Sequence, residues 1–295
     1  VLTAEVNTPA WLGFRKSGVG ASEAAAVLGD SSWGTPYSVY LDKISDRVED
    51  IQNDRMIWGH RMEPHIAEWA QEDWPEQGTV LPSEGLLQSI EYPFMLATLD
   101  RQIAFPDGTI GPFEIKNVDV HEKYRWLGEG GQLVAPKPYW VQAHVQMLVT
   151  GQDRAMIQPF FGGNDLPPGI VIERDEAFIQ EYLIGRIGDF WNYNVIPRVP
   201  PEASLGDDLW SIWPGETGLK IVADEEAYEL VAKWRICHSD RLANTRDEKQ
   251  LALQIAKFMG DATELVDPFT EQTIHTLRPR VDGVRTHKAT KEEVN

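Results

Sequence analysis

The sequence predicts a mixed α/β protein, and three observations carry that expectation. Helical and strand patterns are interleaved through the first two thirds of the chain. Short apolar runs between residues 79 and 116 are separated by turn signals such as Pro106-Asp107-Gly108-Thr109. The 295-residue chain is 42% hydrophobic with 11 Trp, enough to bury a real core.

The elements follow in order. Thr8-Pro9 reads as an N-cap with Pro at the first helical position, so a short helix over 9–15 is expected. Gly18-Val19-Gly20 breaks it. Ser22 is expected to cap a second helix over 23–28, stopped by Gly29. A loop over 31–36 leads to a helix over 37–44, and a longer helix over 58–69 carries Glu63. Strands are expected near 79–90, 94–104 and 110–116, with 94–116 forming a β-hairpin. A helix over 139–150, a strand over 155–161 and a helix over 173–191 complete the first part. Pro197, Pro200 and Pro201 mark a linker-like passage, and the boundary is placed between residues 205 and 206. Residues 206–295 are expected to form a helical extension: one long helix or a helix pair over 224–259, ended by Gly260, then a basic hairpin with Asp282-Gly283 at its turn, and a tail.

Composition excludes several classes. No apolar run of the roughly 18 residues a membrane helix needs is present, and the N-terminus shows no secretory pattern. The single Cys237 excludes an internal disulfide, a cysteine-held iron–sulfur cluster and a Cys-rich zinc site, so cytoplasm is the natural compartment. No glycine-rich nucleotide loop occurs, and His60, Glu63 and His65 do not form a zinc-protease motif. The net charge of −19 argues against DNA binding through a broad basic face, but not against a local basic track with metal ions. A ring-shaped oligomer, acidic outside and basic where a duplex passes, would reconcile the two.

The chemistry-bearing residues centre on three carboxylates and a lysine. Asp100 stands 14 residues before Glu114-Ile115-Lys116, and Glu63 lies upstream. On a strand Glu114 and Lys116 share one face while Ile115 points the other way, into the core. With Asp100 ending a buried strand, this is the donor set of a magnesium-dependent phosphodiesterase: hard oxygen ligands and a lysine beside the attacking water. The pattern alone also fits a solvated edge strand with an ion pair. Arg15 and Ser22 form a second constellation, either a terminal-phosphate pocket at a helix N-terminus or an ordinary cap beside a surface arginine. Gln142 and Gln146 lie four apart on one helix face and either position the site or form a polar surface. His144 lacks a partner at ligand spacing and reads as structural. Arg278, Arg280 and Arg285 either contact a nucleic-acid backbone or decorate a solvated hairpin.

Five segments in order resemble one family, the YqaJ-like phage recombinases, relatives of lambda exonuclease within the PD-(D/E)XK nuclease superfamily. They are 15–29 (RKSGVGASEAAAVLG), 58–64 (WGHRMEP), 97–100 (ATLD), 114–116 (EIK) and 142–151 (QAHVQMLVTG), and the resemblance covers roughly residues 9–200. It implies a restriction-endonuclease-like core, a central mixed β-sheet flanked by helices, in an exonuclease domain over 1–205. It implies a metal-dependent 5′-to-3′ double-stranded DNA exonuclease that leaves 3′ single-stranded overhangs. By matched position Asp100 and Glu114 would hold Mg²⁺ (or Mn²⁺) with the Ile115 carbonyl, and Glu63 a second ion or its water. Lys116 would activate the water, Gln142 would position the site, and Arg15 and Ser22 would grip the 5′ phosphate. Relatives form rings, such as trimers or tetramers, around duplex ends and work with a single-strand annealing protein in the bacterial host cytoplasm, encoded by phage or prophage. His144 and Gln146 depart from the glutamine and tyrosine that relatives show on that helix. The alternatives are an endonuclease of the same superfamily and a non-catalytic DNA-end-binding scaffold.

Overall fold

The computed structural model describes residues 8–45, 54–83, 85–203, 208, 209, 212, 216–239, 245–279 and 285–289. Chain contacts divide it into two compact units, meeting between Pro201 and Glu202.

In the first unit a five-stranded mixed sheet carries the order β2-β5-β6-β7-β8, formed by Thr79–Leu81, Arg101–Ala104, Ile110–Val118, Arg154–Phe161 and Ile170–Glu173. Its pairs are antiparallel except β6 with β7, which are parallel. A parallel pair needs a crossover, and here it contains helix α5, Lys137–Thr150. Alternation along β6 divides its side chains. Phe113 and Ile115 join Ile66, Ala67 and Ala70 of α4, Asp54–Asp73. Val118 joins Ala143 and Met147 of α5 on the other face. Glu114, on the α5 face, is 3% exposed.

The hairpin expected over 94–116 is divided between two sheets. Met95–Thr98 is β4, the middle strand of a separate sheet with β1 (Val19–Gly20) and β3 (Leu86–Gln88). Only β5 pairs with β6, beginning at Arg101↔Phe113. Leu99 and Asp100 are therefore the step from one sheet to the other, a switch that strand patterning cannot register. The parallel pairing Val19↔Met95 needs close approach at Gly18, where a Cβ would lie 2.7 Å from the Phe94 carbonyl oxygen.

The helix α1, Pro9–Arg15, forms as expected, with Thr8 Oγ1 accepting from the Trp11 N–H at 3.3 Å. The second helix, α2 (Ala21–Leu28), begins earlier than expected. Its cap is Gly20, whose N–H donates to Glu23 Oε2 at 2.7 Å, and Ser22 is an exposed residue within the first turn. The cap assigned to Ser22 is thus corrected: the Glu23 carboxylate reaches back to Gly20 and fixes the helix start there. Gly29 closes α2 at φ 79°, the left-handed conformation glycine adopts freely. The helix α3 spans Pro36–Ile44. Residues 170–173, partly assigned to a helix, form β8, and the following helical run is Glu176–Phe178, a π turn Ile179–Leu183, Ile184–Phe190 and a π turn Trp191–Val195. Its Ile179, Leu183, Ile187 and Phe190 pack with α2, α5 and β4 in the largest apolar cluster.

The second unit is more than a helical extension. The helix pair is present, as Glu225–Ser239 and Thr245–Met259. It forms the crossover between parallel strands Glu216–Val222 and Ala262–Val266 of a four-stranded sheet. Those short strands carry little alternation in sequence, and their burial comes from the sheet and helix pair: Ala223, Val231, Trp234, Ile255, Leu265 and Leu277 share one core. The hairpin arms are Thr273–Pro279 and Arg285–Ala289, in register Arg278↔Thr286 and Pro279↔Arg285. Arg280 and the Asp282-Gly283 turn lie outside the described residues. No helix among the described residues is long and apolar enough to cross a membrane.

Candidate active site

Asp100, Glu114 and Lys116 meet where β5 leaves the sheet. Beyond Arg101 the strand partner of β6 is gone, and the Ile115 N–H donates to Asp100 Oδ2 at 2.8 Å. The N–H and C=O of one strand residue point to the same edge, so the Ile115 carbonyl faces that edge too. Lys116 Nζ donates to Glu114 Oε1 at 2.6 Å. Glu114 is nearly inaccessible, and two glutamines of α5 hold it: Gln142 Nε2 to Oε1 at 2.6 Å and Gln146 Nε2 to Oε2 at 2.5 Å. The four-residue spacing that puts them on one helix face is what lets both reach one carboxylate. Gln146, which departs from the family pattern but shares a helix face with Gln142, is as intimate a partner of Glu114 as Gln142 is. Among the described residues its own Oε1 is buried without a hydrogen-bond partner.

Glu63 approaches from α4, where Pro64 lies inside the helix. Its carboxylate takes Arg101 Nη1 at 3.0 Å, with His60 Nδ1 at 3.9 Å. Arg101 is a site neighbour that the sequence reading missed, although its position next to Asp100 was the available signal. Tyr139 is another: its ring lies 4.9 Å below Lys116 Nζ.

Electrostatics reflect this crowding. Burial, then the charges of Glu114 and Glu63, push the Asp100 carboxyl well above the usual range, only partly offset by Lys116 and the Ile115 N–H. Burial opposes the Lys116 charge, but Glu114 and Asp100 outweigh it and raise the ammonium pKa. Three carboxylates, Glu63, Asp100 and Glu114, against two cations, Arg101 and Lys116, make a place where a further cation is stabilised.

The residues present fit Mg²⁺. Among the described residues no three Asp, Glu, His or Cys groups converge at ligand distance. Mg²⁺ does not need such a cage, being held by one or two carboxylates, waters and substrate phosphate. An ionised carboxylate offers about four lone-pair sites, and Glu114 uses three, for Lys116, Gln142 and Gln146. Among the described residues Asp100 Oδ1 has no hydrogen-bond donor.

Arg15 and Ser22 stand apart from this cluster in sequence, but β1 between them is stitched to β4, the strand that delivers Asp100. Arg15 Nη2 donates to Glu23 Oε1 at 2.9 Å and the guanidinium lies 4.9 Å over the Trp11 ring. Glu23 Oε2 also receives Lys43 Nζ at 2.7 Å. His144 is structural: Nδ1 contacts the Trp140 carbonyl at 2.8 Å and Nε2 accepts the Asp175 N–H at 3.1 Å, which assigns a neutral ring protonated on Nδ1. Burial lowers its pKa.

Replacing Gln146 by Leu is expected to destabilise the protein by about 1–3 kcal/mol, because a buried carboxylate oxygen loses its donor. Urea denaturation of Gln146→Leu against wild type checks this.

The sheet and its flanking helices define a mixed α/β domain that carries an Asp–Glu-x-Lys cluster at the point where β5 leaves the sheet. Residues 10–153, from α1 to the end of α5, match the family model of the YqaJ-like viral recombinase domain. The Bacillus subtilis (strain 168) protein YqaJ, itself uncharacterized, is 29% identical over 200 residues, 67% of this chain. The match spans 59% of that relative's length. Among solved structures, the alkaline exonuclease LHK-Exo of Laribacter hongkongensis superposes with a TM-score of 0.54 at 21% identity, covering 65% of this chain and 94% of that one. LHK-Exo in complex with dAMP gives 0.52 at the same identity and coverage. At that identity the likeness concerns the fold.

Proposed function

We propose that this protein is a metal-dependent 5′-to-3′ double-stranded DNA exonuclease of phage-type recombination, leaving 3′ single-stranded overhangs. The observation that carries the reading is the buried Glu114 carboxylate, oriented by Gln142 and Gln146 and set against Lys116 and Asp100. A salt bridge serving stability alone needs no such clamp, and burying one costs several kcal/mol per ion on the order of general estimates. The family match and the exonuclease fold of LHK-Exo support the same reading.

Asp100, Glu114 and the Ile115 carbonyl would hold Mg²⁺, or Mn²⁺ in its place, and the ion supplies Lewis-acid polarisation of the scissile phosphate and a more acidic water. Lys116, kept as an ammonium by Glu114, donates to the attacking water and to the phosphate oxygens as negative charge builds. Gln142 and Gln146 keep the Glu114 carboxylate from rotating. Glu63, whose Oε1 accepts from Arg101, would hold a second ion or its water through its remaining lone pairs.

Arg15 and Ser22 would receive the 5′ phosphate. A guanidinium has five N–H donors, and Glu23 takes Nη2 only. Arg15, Lys43 and Glu23 together keep one net positive charge. Loss of a hydrogen bond to a charged group costs about 1.5–3 kcal/mol. Arg15→Ala is therefore expected to lower kcat/KM on 5′-phosphate ends by roughly 10- to 100-fold by that figure, and to narrow the preference over 5′-hydroxyl ends. Comparing the two ends in one digestion series checks it. Arg278, Arg280 and Arg285 are proposed as backbone contacts. A homo-oligomeric ring, trimer or tetramer, around the duplex and a single-strand annealing partner in the bacterial host cytoplasm complete the proposal. The ring accommodates a net charge of −19 by keeping the acidic surface outside.

The test is digestion of end-labelled linear duplex, with 5′-phosphate or 5′-hydroxyl termini, beside closed circular DNA, with Mg²⁺ or EDTA. Progressive metal-dependent loss from 5′-phosphate ends, sparing circles, is the expected result. Cutting of circles makes it an endonuclease, and no cutting of either leaves the end-binding scaffold.

A further inference from the structure

A column of rings leaves the core beside Lys116. Trp126, 1% exposed, meets Phe161 edge-on at 5.8 Å and stacks on Tyr139 at 5.1 Å. Tyr139, whose other neighbour is Lys116 Nζ, stacks in turn on Trp33 at 5.6 Å with planes 26° apart. Trp33 is 60% exposed. The column starts in the core, passes the lysine and ends in solvent on an open indole.

A lone exposed aromatic is ordinary; this one is held in place from several sides. The Trp33 backbone N–H donates to Ser31 Oγ at 3.1 Å. Thr35 and Ser38 exchange backbone-to-side-chain bonds at 2.8 and 3.0 Å, fixing the entry to α3. A Cβ on Gly34 would lie 3.2 Å from Ala26 Cβ, so the loop lies close on α2. Arg125 Nη1 reaches Ser32 Oγ at 3.5 Å from the segment on the other side of Lys116. The backbone that carries Trp33 is therefore fixed and its ring rests on Tyr139, which lowers the ordering cost of binding.

Resting on the nuclease reading above, we propose that Trp33 is a base-stacking platform: a nucleobase of the DNA strand whose phosphate sits at Lys116 continues the column on the open face of Trp33. A base is the flat partner that an offset aromatic stack accepts, and every base has such a face, so the site takes any sequence. Among the described residues Trp58 and Trp69 are also exposed, but Trp58 carries the Arg61 guanidinium 5.3 Å over its ring and Trp69 lies against His65 and Phe160.

Trp33 acts through binding, so it separates from the chemistry. With linear 5′-phosphate duplex and Mg²⁺, Trp33→Ala is expected to lower kcat/KM by roughly 5- to 100-fold, the range for losing one stacked base, while Trp33→Phe stays near wild type. An abasic sugar walked along the terminal nucleotides should lower wild-type kcat/KM at one position and leave Trp33→Ala unaffected there. Circular dichroism of both variants reports folding. Wild-type kcat/KM in Trp33→Ala, or an abasic penalty equal in variant and wild type at every position, overturns the stacking site and leaves the nuclease standing. Absence of any cutting by the wild type overturns both.

Discussion

Lys116→Ala is expected to lower kcat by about 10²–10⁴-fold, the range for losing a proton-transfer or charge-stabilising group, with KM nearly unchanged. The lysine has a single side-chain partner among the carboxylates, Glu114 at 2.6 Å, and Gln142 and Gln146 hold that carboxylate without it. The fold should therefore survive the substitution. Lys116→Arg should not restore activity, because a planar fork does not replace a compact ammonium above the Tyr139 ring. Glu114→Gln removes the anchor of Lys116 and the proposed metal ligand together, so Glu114→Gln/Lys116→Ala should be no slower than the worse single variant, as for residues that act as a unit. Single-turnover digestion measures all four variants. A Lys116→Ala protein retaining more than about a tenth of the wild-type rate, against the losses expected of such groups, would remove the lysine from the mechanism.

The sequence made much of this site legible because its rules are local. Strand alternation put Glu114 and Lys116 on one side of β6 and Ile115 on the other, and the structure places them so. Helix spacing put Gln142 and Gln146 on one face. What stayed hidden depends on distant chain. Nothing around Leu99-Asp100 says that β4 and β5 belong to different sheets, because that is decided by β1 and β3 on one side and β6 on the other. Ser22 has a favourable cap chemistry, but Glu23 is tied at once to Gly20, Arg15 and Lys43, and the helix start follows the acid. The strands of the second unit are short, and their pairing across a helix crossover of more than thirty residues leaves no period to read.

The largest expected effect on stability lies at Glu23. Lys43 has a fully buried side chain, and its ammonium meets Glu23 Oε2 at 2.7 Å and donates to the Arg15 carbonyl at 2.9 Å. Removing one partner of a buried pair leaves an uncompensated charge and costs about 3–5 kcal/mol, which is the loss expected for Glu23→Ala. The double variant Glu23→Ala/Lys43→Met should recover most of it, since apolar replacement of both members is commonly near neutral. Burial alone would raise the Glu23 pKa, but Lys43, Arg15 and the Gly20 N–H outweigh it and hold the carboxyl below its ordinary 4.5. A depressed folded pKa means that the contribution is complete above the unfolded value and disappears as pH falls through the folded one. The stability gap between wild type and Glu23→Gln should therefore be constant near neutrality and close progressively below pH 4.5, the ordinary value of that carboxyl. Urea midpoints of both proteins across that range measure it. A gap that stays constant into acid would show that Glu23 is not held as an anion by these cations. The same triad holds Arg15, so Glu23→Ala should also loosen the selection of 5′-phosphate ends, whereas Gln146→Leu should leave that selection intact.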